Sequence, residues 1–260
     1  SRMLPLVIGF LLLFKSDNKL YFYFIGFLFV ITDCIIYISG ERTALGLLVM
    51  SSIFILVFIK EYKYIRIASV FISLIIIVVI TILSPQIKER NIDHTLNQVG
   101  MSSSESKIYI FSPQHQSHIM GSIQMFYDKP LFGVGPNLFR KLCSLEKYEI
   151  DKNTCSTHPH NIYIQLLAET GIVGLSFLML VSFYFIIIVF QNLVKLILQK
   201  KDTLDNYTVC LLACFLINLW PFLPTLNFFN NWINVIYYLP VGFYLQYIYS
   251  GKLNQKIKLY

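Results

Sequence analysis

The residues best suited to chemistry lie in one short run, His158-Pro159-His160-Asn161, which precedes a long apolar stretch. Imidazole titrates near neutral pH, so His160 is a candidate general base for an acceptor hydroxyl. The proline restricts His158 to extended backbone, and Asn161 is a favourable N-cap for a helix from Ile162. The partial positive charge at that helix end is expected to lower the pKa of His160 and keep it neutral. On residue type alone, a surface histidine bonded to a backbone carbonyl is the commoner interpretation.

Two arginines are candidate phosphate ligands. Arg42 stands in Ser39-Gly40-Glu41-Arg42-Thr43, and a guanidinium binds phosphate oxygens bidentately without losing its charge. Arg42 could therefore hold a lipid-linked pyrophosphate, although pairing with Glu41 or contact with lipid head groups is the simpler interpretation. Arg140 follows the turn Gly133-Val134-Gly135-Pro136 and could supply a second phosphate contact. A solvated loop charge is its alternative.

Other polar side chains are weaker candidates. Asp33 lies inside an apolar run, where an acid is costly and marks a functional site unless it is protonated or paired with Arg42. His115 and His118 are three positions apart, but no carboxylate or thiol stands at ligand spacing beside them, so no metal site is predicted. A polar substrate contact is favoured instead. The expected substrate-binding residues are Arg140, Asn161, His115, His158 and Asp33.

The elements that must position these residues are those of a membrane protein. The chain is 56% hydrophobic and 13% charged, with a mean hydropathy of +0.62. Seven apolar runs are visible, of which the first is too short to span and, with no initiator Met before it, is expected to be incomplete. The runs are Leu4–Phe14, Leu20–Ile38, Thr43–Ile59, Ile67–Leu83, Gly171–Phe190, Tyr207–Leu226 and Ile233–Tyr249. The predicted fold is an all-α polytopic membrane protein of about seven transmembrane helices.

The distribution of basic residues predicts how the helices are oriented in the membrane. Basic residues of the short connectors fall on one side, which the positive-inside rule places in the cytoplasm. They are Lys15, Lys19, Lys60, Lys63, Arg66, Lys195, Lys200, Lys201, Lys252, Lys256 and Lys258. The net charge of +7 therefore indicates membrane topology and contact with the lipid bilayer, not nucleic-acid binding. Three parts are expected: transmembrane helices in 1–83, a periplasmic loop in 84–170, and three helices with a cytoplasmic tail in 171–260.

The predicted loop has internal structure of its own. Apolar spacing predicts an amphipathic helix over Ser117–Tyr127, ended by Asp128-Lys129-Pro130. On a helix from Ile162, the polar residues Asn161, Gln165 and Glu169 share one face. Cys143 and Cys155 are expected to form a disulfide, which would stabilise the loop by about 3 kcal/mol, and two free thiols are the alternative.

Several of these motifs resemble the O-antigen ligase and polymerase superfamily. The resemblance is carried by His160-Asn161 followed by Gly171-Ile172-Val173-Gly174, by the stretch from Asp128 to Arg140, and by Arg42 after Ser-Gly. It covers about residues 31–190. It implies a polytopic enzyme of the bacterial inner membrane with a large periplasmic loop. Because such proteins have about a dozen spans, it also implies that about five N-terminal helices are missing.

The resemblance also implies an activity. The enzyme would transfer or polymerise a glycan from an undecaprenyl-pyrophosphate-linked donor to a sugar hydroxyl on lipid A core or a growing glycan. Arg42 would hold the pyrophosphate, with Arg140 less securely placed, and His160 would activate the acceptor. No metal or other cofactor is implied. A transporter or flippase for lipid-linked glycans and a non-catalytic membrane assembly subunit are the alternatives, although few polar residues occur within the apolar runs.

Overall fold

The computed structural model describes residues 1–13, 19–59, 63–99, 112–200 and 203–257. Within these ranges the chain is helical and contains no strand, which confirms the all-α class. The helices are α1 Leu4–Leu13, α2 Lys19–Ser39, α3 Arg42–Phe58, α4 Lys63–Leu83, α5 Pro85–Lys88, α6 His94–Val99, α7 Pro113–Asp128, α8 Phe139–Leu142, α9 Ile162–Ile197, α10 Asn206–Asn218 and α11 Asn231–Ile257. A π-helical turn, Glu89–Asp93, joins α5 to α6.

Among the described residues, three helices are long and apolar enough to cross a membrane: α4, α9 and residues Leu20–Ser39 of α2. Helices α1, α3 and α10 are apolar but shorter. The count of seven spans therefore remains a prediction, as do the orientation and the periplasmic position of 84–170. Phe14 and the topology-setting residues Lys15, Lys60, Lys201 and Lys258 lie outside the described residues, as do positions 100–111 of the predicted loop.

The sixth apolar run behaves differently from its prediction. The helix ends at Asn218, although the run continues to Leu226. Pro221 and Pro224 interrupt the sequence that follows, and a proline supplies no N–H for a helical hydrogen bond. Residues 219–230 instead form an irregular segment whose backbone groups bind other parts of the chain.

The chain divides into two compact units. The first unit comprises Ser1–Ile80, Phe185–Leu219 and Val235–Tyr260. Within it, α10 packs against α1 and α3. Its core combines Leu6 and Ile8 of α1 with the fully buried side chains of Cys210 and Leu211. A Cβ on Gly9 would lie 2.9 Å from the Cβ of Cys210, so glycine permits the close approach of α1 to α10.

The second unit comprises Thr81–Tyr184 and Trp220–Asn234. It contains every histidine of the chain and most of the predicted loop. The amphipathic helix is present as α7, which begins after the N-cap Ser112 and ends at Asp128 before Pro130. A small core holds this unit together, formed by Met125, Phe139, Cys143, Tyr148 and Ala168.

Candidate active site

The segment that carries the candidate base turns sharply just before α9. His160 has a φ of +58°, a left-handed conformation that L-residues seldom adopt because it costs roughly 1–2 kcal/mol. Its carbonyl accepts a hydrogen bond from the N–H of Thr225 at 2.8 Å, which holds the turn. Asn161 then caps the helix, since its Oδ1 accepts from the N–H groups of Tyr163 at 3.0 Å and Ile164 at 3.2 Å. The predicted N-cap is therefore present.

Four of the five histidines of the chain meet in one cluster. His158 and His160 come from this turn, and His115 and His118 from the first turns of α7. The ring centroid of His160 lies 4.1 Å from that of His158, 5.4 Å from that of His115 and 5.6 Å from that of His118. The sequence places all four in one loop but does not predict that they touch. We call these four residues the histidine cluster.

Hydrogen bonds assign protons to two of the rings. Because a carbonyl only accepts, Nδ1 of His118 donates to the carbonyl of Thr154 at 3.0 Å, and Nε2 of His158 donates to that of Thr225 at 3.2 Å. Nδ1 of His158 is then left to accept from the hydroxyl of Thr157 at 2.9 Å. Both nitrogens of His158 are thus occupied by the protein, which favours a structural role over its predicted substrate contact.

The other two rings have hydroxyl partners. Nε2 of His160 lies 3.0 Å from the Oγ of Ser156, and Nδ1 of His115 lies 2.7 Å from the Oγ of Ser112. A hydroxyl donates or accepts, so these contacts leave either tautomer open to each ring. With Nε2–H donated to Ser156, His160 keeps the lone pair of Nδ1 for an acceptor hydroxyl.

The cluster keeps its central imidazole uncharged. Burial, followed by the neighbouring rings of His158, His115 and His118, lowers the pKa of His160 from 6.5 to about 4. Burial is also the main cause that lowers the pKa values of His115 and His158. The direction at His160 agrees with the sequence-based prediction, but burial and the other imidazoles are the causes rather than the helix end.

The polar face of the first two turns of α9 holds the surrounding segments in place. Gln165 donates to Asn227 Oδ1 at 2.8 Å and to Glu169 at 3.0 Å. Glu169, only 1% exposed, accepts the N–H of Phe139 at 2.8 Å. The amide of Asn161 donates to the carbonyl of Pro221 at 2.7 Å. This face was predicted, and its hydrogen bonds account for Asn161 without a substrate contact.

Two glycine motifs meet backbone to backbone. Helix α9 breaks at Gly171, where φ is +65°, and Gly133 has φ of +68°. A Cβ on Gly133 would lie 2.3 Å from the backbone carbon of Glu169, and one on Gly171 would lie 2.4 Å from that of Leu131. The N–H of Val134 donates to the carbonyl of Ala168 at 2.9 Å. Glycine is required at both positions because any side chain would separate the two segments.

A disulfide braces the other side of the cluster. Cys143 and Cys155 are joined, which closes a loop with a sequence separation of 12. Thr154, which is fully buried within that loop, presents its carbonyl to His118. Gly121 of α7 allows this approach, since a Cβ there would lie 2.7 Å from the Thr154 methyl carbon.

The predicted cations divide between the two units. Arg140 is exposed on α8 in the second unit, directly after Phe139, whose ring lies 6.5 Å from that of His118. Arg42 is the first residue of α3 in the first unit. Arg140 thus belongs to the same unit as the histidine cluster. A contact of Arg140 with the cluster and the joint action of Arg42 and His160 remain hypotheses.

Asp33 has a different partner from the predicted one. Its Oδ2 lies 3.5 Å from Nη1 of Arg66 and accepts from the hydroxyl of Ser73 at 2.7 Å. The pairing with Arg42 was wrong because the choice rested on closeness in sequence. Arg66, which is one of the cations used for the orientation, lies in the first turn of α4 and is 6% exposed. A buried ion pair accounts for Asp33 without a substrate contact.

Comparison with known proteins identifies the family. A family model described as O-antigen ligase matches residues 25–179, which is more than half of the chain. The chain belongs to the O-antigen ligase family. No curated protein and no solved structure matches it significantly. The match confirms the resemblance, and the matched region of this O-antigen ligase family member includes Arg42, Arg140, the histidine cluster and both glycine motifs.

Several residues of the site carry no local sequence signal. In the sequence His118 stands out only by its spacing from His115, and its partner in the fold is a backbone carbonyl 36 positions away. Ser156 and Thr225 likewise act through contacts that only the folded chain creates. Among the described residues, no three His, Cys, Asp or Glu side chains are arranged to hold a metal ion.

Proposed function

We propose that this O-antigen ligase family protein transfers or polymerises a glycan from an undecaprenyl-pyrophosphate-linked donor onto a sugar hydroxyl. Its acceptor is lipid A core or a growing surface glycan, and the second unit works on the periplasmic side of the inner membrane. The observation that carries the proposal is the central place of His160, whose pKa is lowered, in a cluster of four imidazoles within the region that matches the family.

The reaction is a displacement at the anomeric carbon. His160 takes the proton of the acceptor hydroxyl, and the oxygen forms a bond to the anomeric carbon of the donor. The bond from that carbon to the pyrophosphate oxygen breaks, and undecaprenyl pyrophosphate leaves with the electron pair. Attack opposite the leaving group inverts the configuration. No metal takes part in this scheme.

The negative charge of the bound donor raises the pKa of His160, which is low in the free site. An imidazole with a pKa of about 4 is a weak base. A bound diphosphate brings negative charge beside the cluster, and an opposite charge raises the pKa of a histidine. His160 therefore becomes an effective base only when the donor is bound. Arg42 and Arg140 hold the diphosphate and stabilise its charge as it leaves.

The principal test is glycan transfer in membrane vesicles with a lipid-linked donor. His160→Ala should reduce the rate by roughly 10²–10⁴-fold, because general base catalysis contributes that much. His94→Ala is the matched control, since His94 is the one histidine outside the cluster and is exposed on α6. Unchanged transfer by His160→Ala, at normal protein level in the membrane, would refute the proposed role.

The arginines are tested separately. Arg42→Ala and Arg140→Ala should each raise the donor concentration needed for half-maximal transfer, and lysine should rescue only partly because it lacks the bidentate geometry. If both alanine variants bind donor normally, the proposed diphosphate contacts are wrong. Ligase and polymerase activities differ in the glycan profile of a deletion strain: core-only lipopolysaccharide indicates a ligase, whereas core with one repeat unit indicates a polymerase.

A further inference from the structure

The break in α9 creates a helix start within an apolar sequence. The first N–H groups of a helix have no partner within their own helix. After the break at Gly171, the N–H of Ile172 donates to the carbonyl of Pro130 at 2.9 Å, and that of Val173 to the carbonyl of Leu131 at 3.3 Å. Residues 130 and 131 therefore lie directly against the first turn of the second part of α9.

That first turn begins an uncharged run that is as long as a membrane span. From Ile172 to Phe190 the sequence contains no charged residue, and about 19 helical residues extend about 28 Å, close to the thickness of a hydrocarbon core. Glu169 lies just before the run, and Lys195 lies just after it. The uncharged run thus has the length of a membrane span that begins near Ile172, and the hydrogen bond of Ile172 keeps Pro130 and the residues beside it close to that end of the run.

The side chains next to Pro130 are apolar and exposed. Tyr127 is 75% exposed, Leu131 60% and Phe132 73%. They continue the exposed apolar surface of Ile172 and Val173, which are 47% and 40% exposed. An apolar surface that is continuous with a membrane-spanning helix is matched by lipid rather than by water.

We propose that Tyr127, Lys129, Leu131 and Phe132 form a membrane anchor. Leu131 and Phe132 insert at the hydrocarbon boundary, while the Tyr127 hydroxyl and the exposed Lys129 ammonium lie among the head groups. The N–H of Gly133 donates to the carbonyl of Lys129 at 2.9 Å and closes the turn that presents the two apolar side chains. This inference does not depend on the proposed function.

The anchor fixes the depth of the histidine cluster. The same segment continues through Gly133 to Phe139, where it binds the backbone of Ala168 and the side chain of Glu169. These residues belong to the helix that follows His160 directly. The anchor itself stands without the proposed function; only its consequence for catalysis rests on that function, since a fixed depth would set the position of His160 relative to the reacting group of a lipid-linked donor.

The test is photocrosslinking of the full chain in native membranes. The probe, p-benzoylphenylalanine, replaces Phe132 in one variant and Leu131 in a second, which covers a failure of the first to fold. Ile150 is the matched control, because it is 41% exposed but lies between the exposed charged residues Glu149 and Asp151.

Lipid adducts are counted by mass spectrometry after irradiation. Transfer of a large apolar side chain from water to lipid is favourable by a factor of about ten or more, so the probe at 132 or 131 should spend most of its time in lipid. Lipid adducts at these two positions should therefore exceed those at position 150 by about tenfold. Equal yields at all three positions, or crosslinks to a protein in place of lipid, would overturn the anchor. Glycan transfer is not part of this readout, so the anchor and the proposed activity succeed or fail separately.

Discussion

Each of the two units buries a polar cluster, but one cluster pairs opposite charges and the other brings together side chains whose charged forms repel one another. In the first unit Arg66 faces Asp33 and also binds the hydroxyls of Ser52 and Ser69, so opposite charges neutralise each other. In the second unit four imidazoles face one another, and burial with mutual repulsion lowers the pKa of His160 to about 4. In the first arrangement each buried charge already has an opposite charge beside it, so no new partner is required. The second leaves His160 uncharged near neutral pH, which is the state that the proposed general base requires.

The chain offers a separate probe for each unit. Both tryptophans, Trp220 and Trp232, belong to the second unit, so their fluorescence reports its unfolding. The free thiols of Cys34, Cys210 and Cys214 all belong to the first unit, where a thiol-reactive dye reports exposure. Thermal unfolding in detergent can therefore follow the two units in one sample.

The largest effect is expected from breaking the ion pair of the first unit. Asp33→Leu or Arg66→Met alone leaves a buried charge without its partner and should cost about 3–5 kcal/mol. The double variant removes both charges and should recover most of that loss. The unfolding transition that the thiol-reactive dye detects measures this effect. If both single variants unfold at the same midpoint temperature as the wild type, the ion pair is not important for the structure.

The second largest effect concerns the loop that braces the histidine cluster. Removing the disulfide with Cys143→Ser and Cys155→Ser frees a loop with a sequence separation of 12 and should cost about 3 kcal/mol. The tryptophan-detected transition should move down, while the free thiols of the first unit provide an internal reference. Reduction of the wild type should give the same shift, and a reductant-insensitive midpoint would contradict the prediction.

The contact between the two glycine motifs can be tested by replacing glycine with alanine at one position inside that contact and at one position outside it. Gly133→Ala forces a left-handed residue against the backbone of Glu169 and should cost at least about 2 kcal/mol. Gly242→Ala in α11 of the first unit meets nothing within 4 Å and should stabilise the helix by up to about 1 kcal/mol. The two unfolding transitions measure both effects. Equal changes in stability for the two variants would mean that the contact between the glycine motifs does not require glycine at position 133.

The smallest effect is a shift in pH dependence. Because the folded pKa of His160 lies below its ordinary value of 6.5, its contribution to stability is complete above pH 6.5 and is lost as the pH falls towards 4. Transfer measured as kcat/KM should likewise decline only near pH 4. His115→Asn removes a neighbouring imidazole and should move this decline towards pH 6.5, whereas His94→Asn should not. A decline at pH 6.5 in the wild type would contradict the lowered pKa.

The sequence predicted what depends on local pattern. The apolar runs, the N-cap at Asn161, the polar face that includes Gln165 and Glu169, and the end of α7 at Asp128 each follow from residues within a few turns. Such features are determined by propensity and periodicity, which act between neighbours in the chain.

What the sequence missed depends on distant contacts. Pairing with Arg42 was one of the alternatives for Asp33, but helix packing brings Arg66 to it instead. The sixth run was extended to Leu226 because its composition is apolar, although the chain leaves the helix at Asn218 to bind the turn before α9. The meeting of His118 with His160 likewise depends on the loop that carries Thr154.

The contact between His158 and Thr225 also bears on how the protein is made. The two residues are 67 positions apart, and a ribosome releases the histidine long before the threonine. Cysteines 143 and 155, only 12 positions apart, are able to join much earlier in synthesis. The disulfide is therefore able to form before the segment 219–230, which supplies Thr225 to the site, has been synthesised.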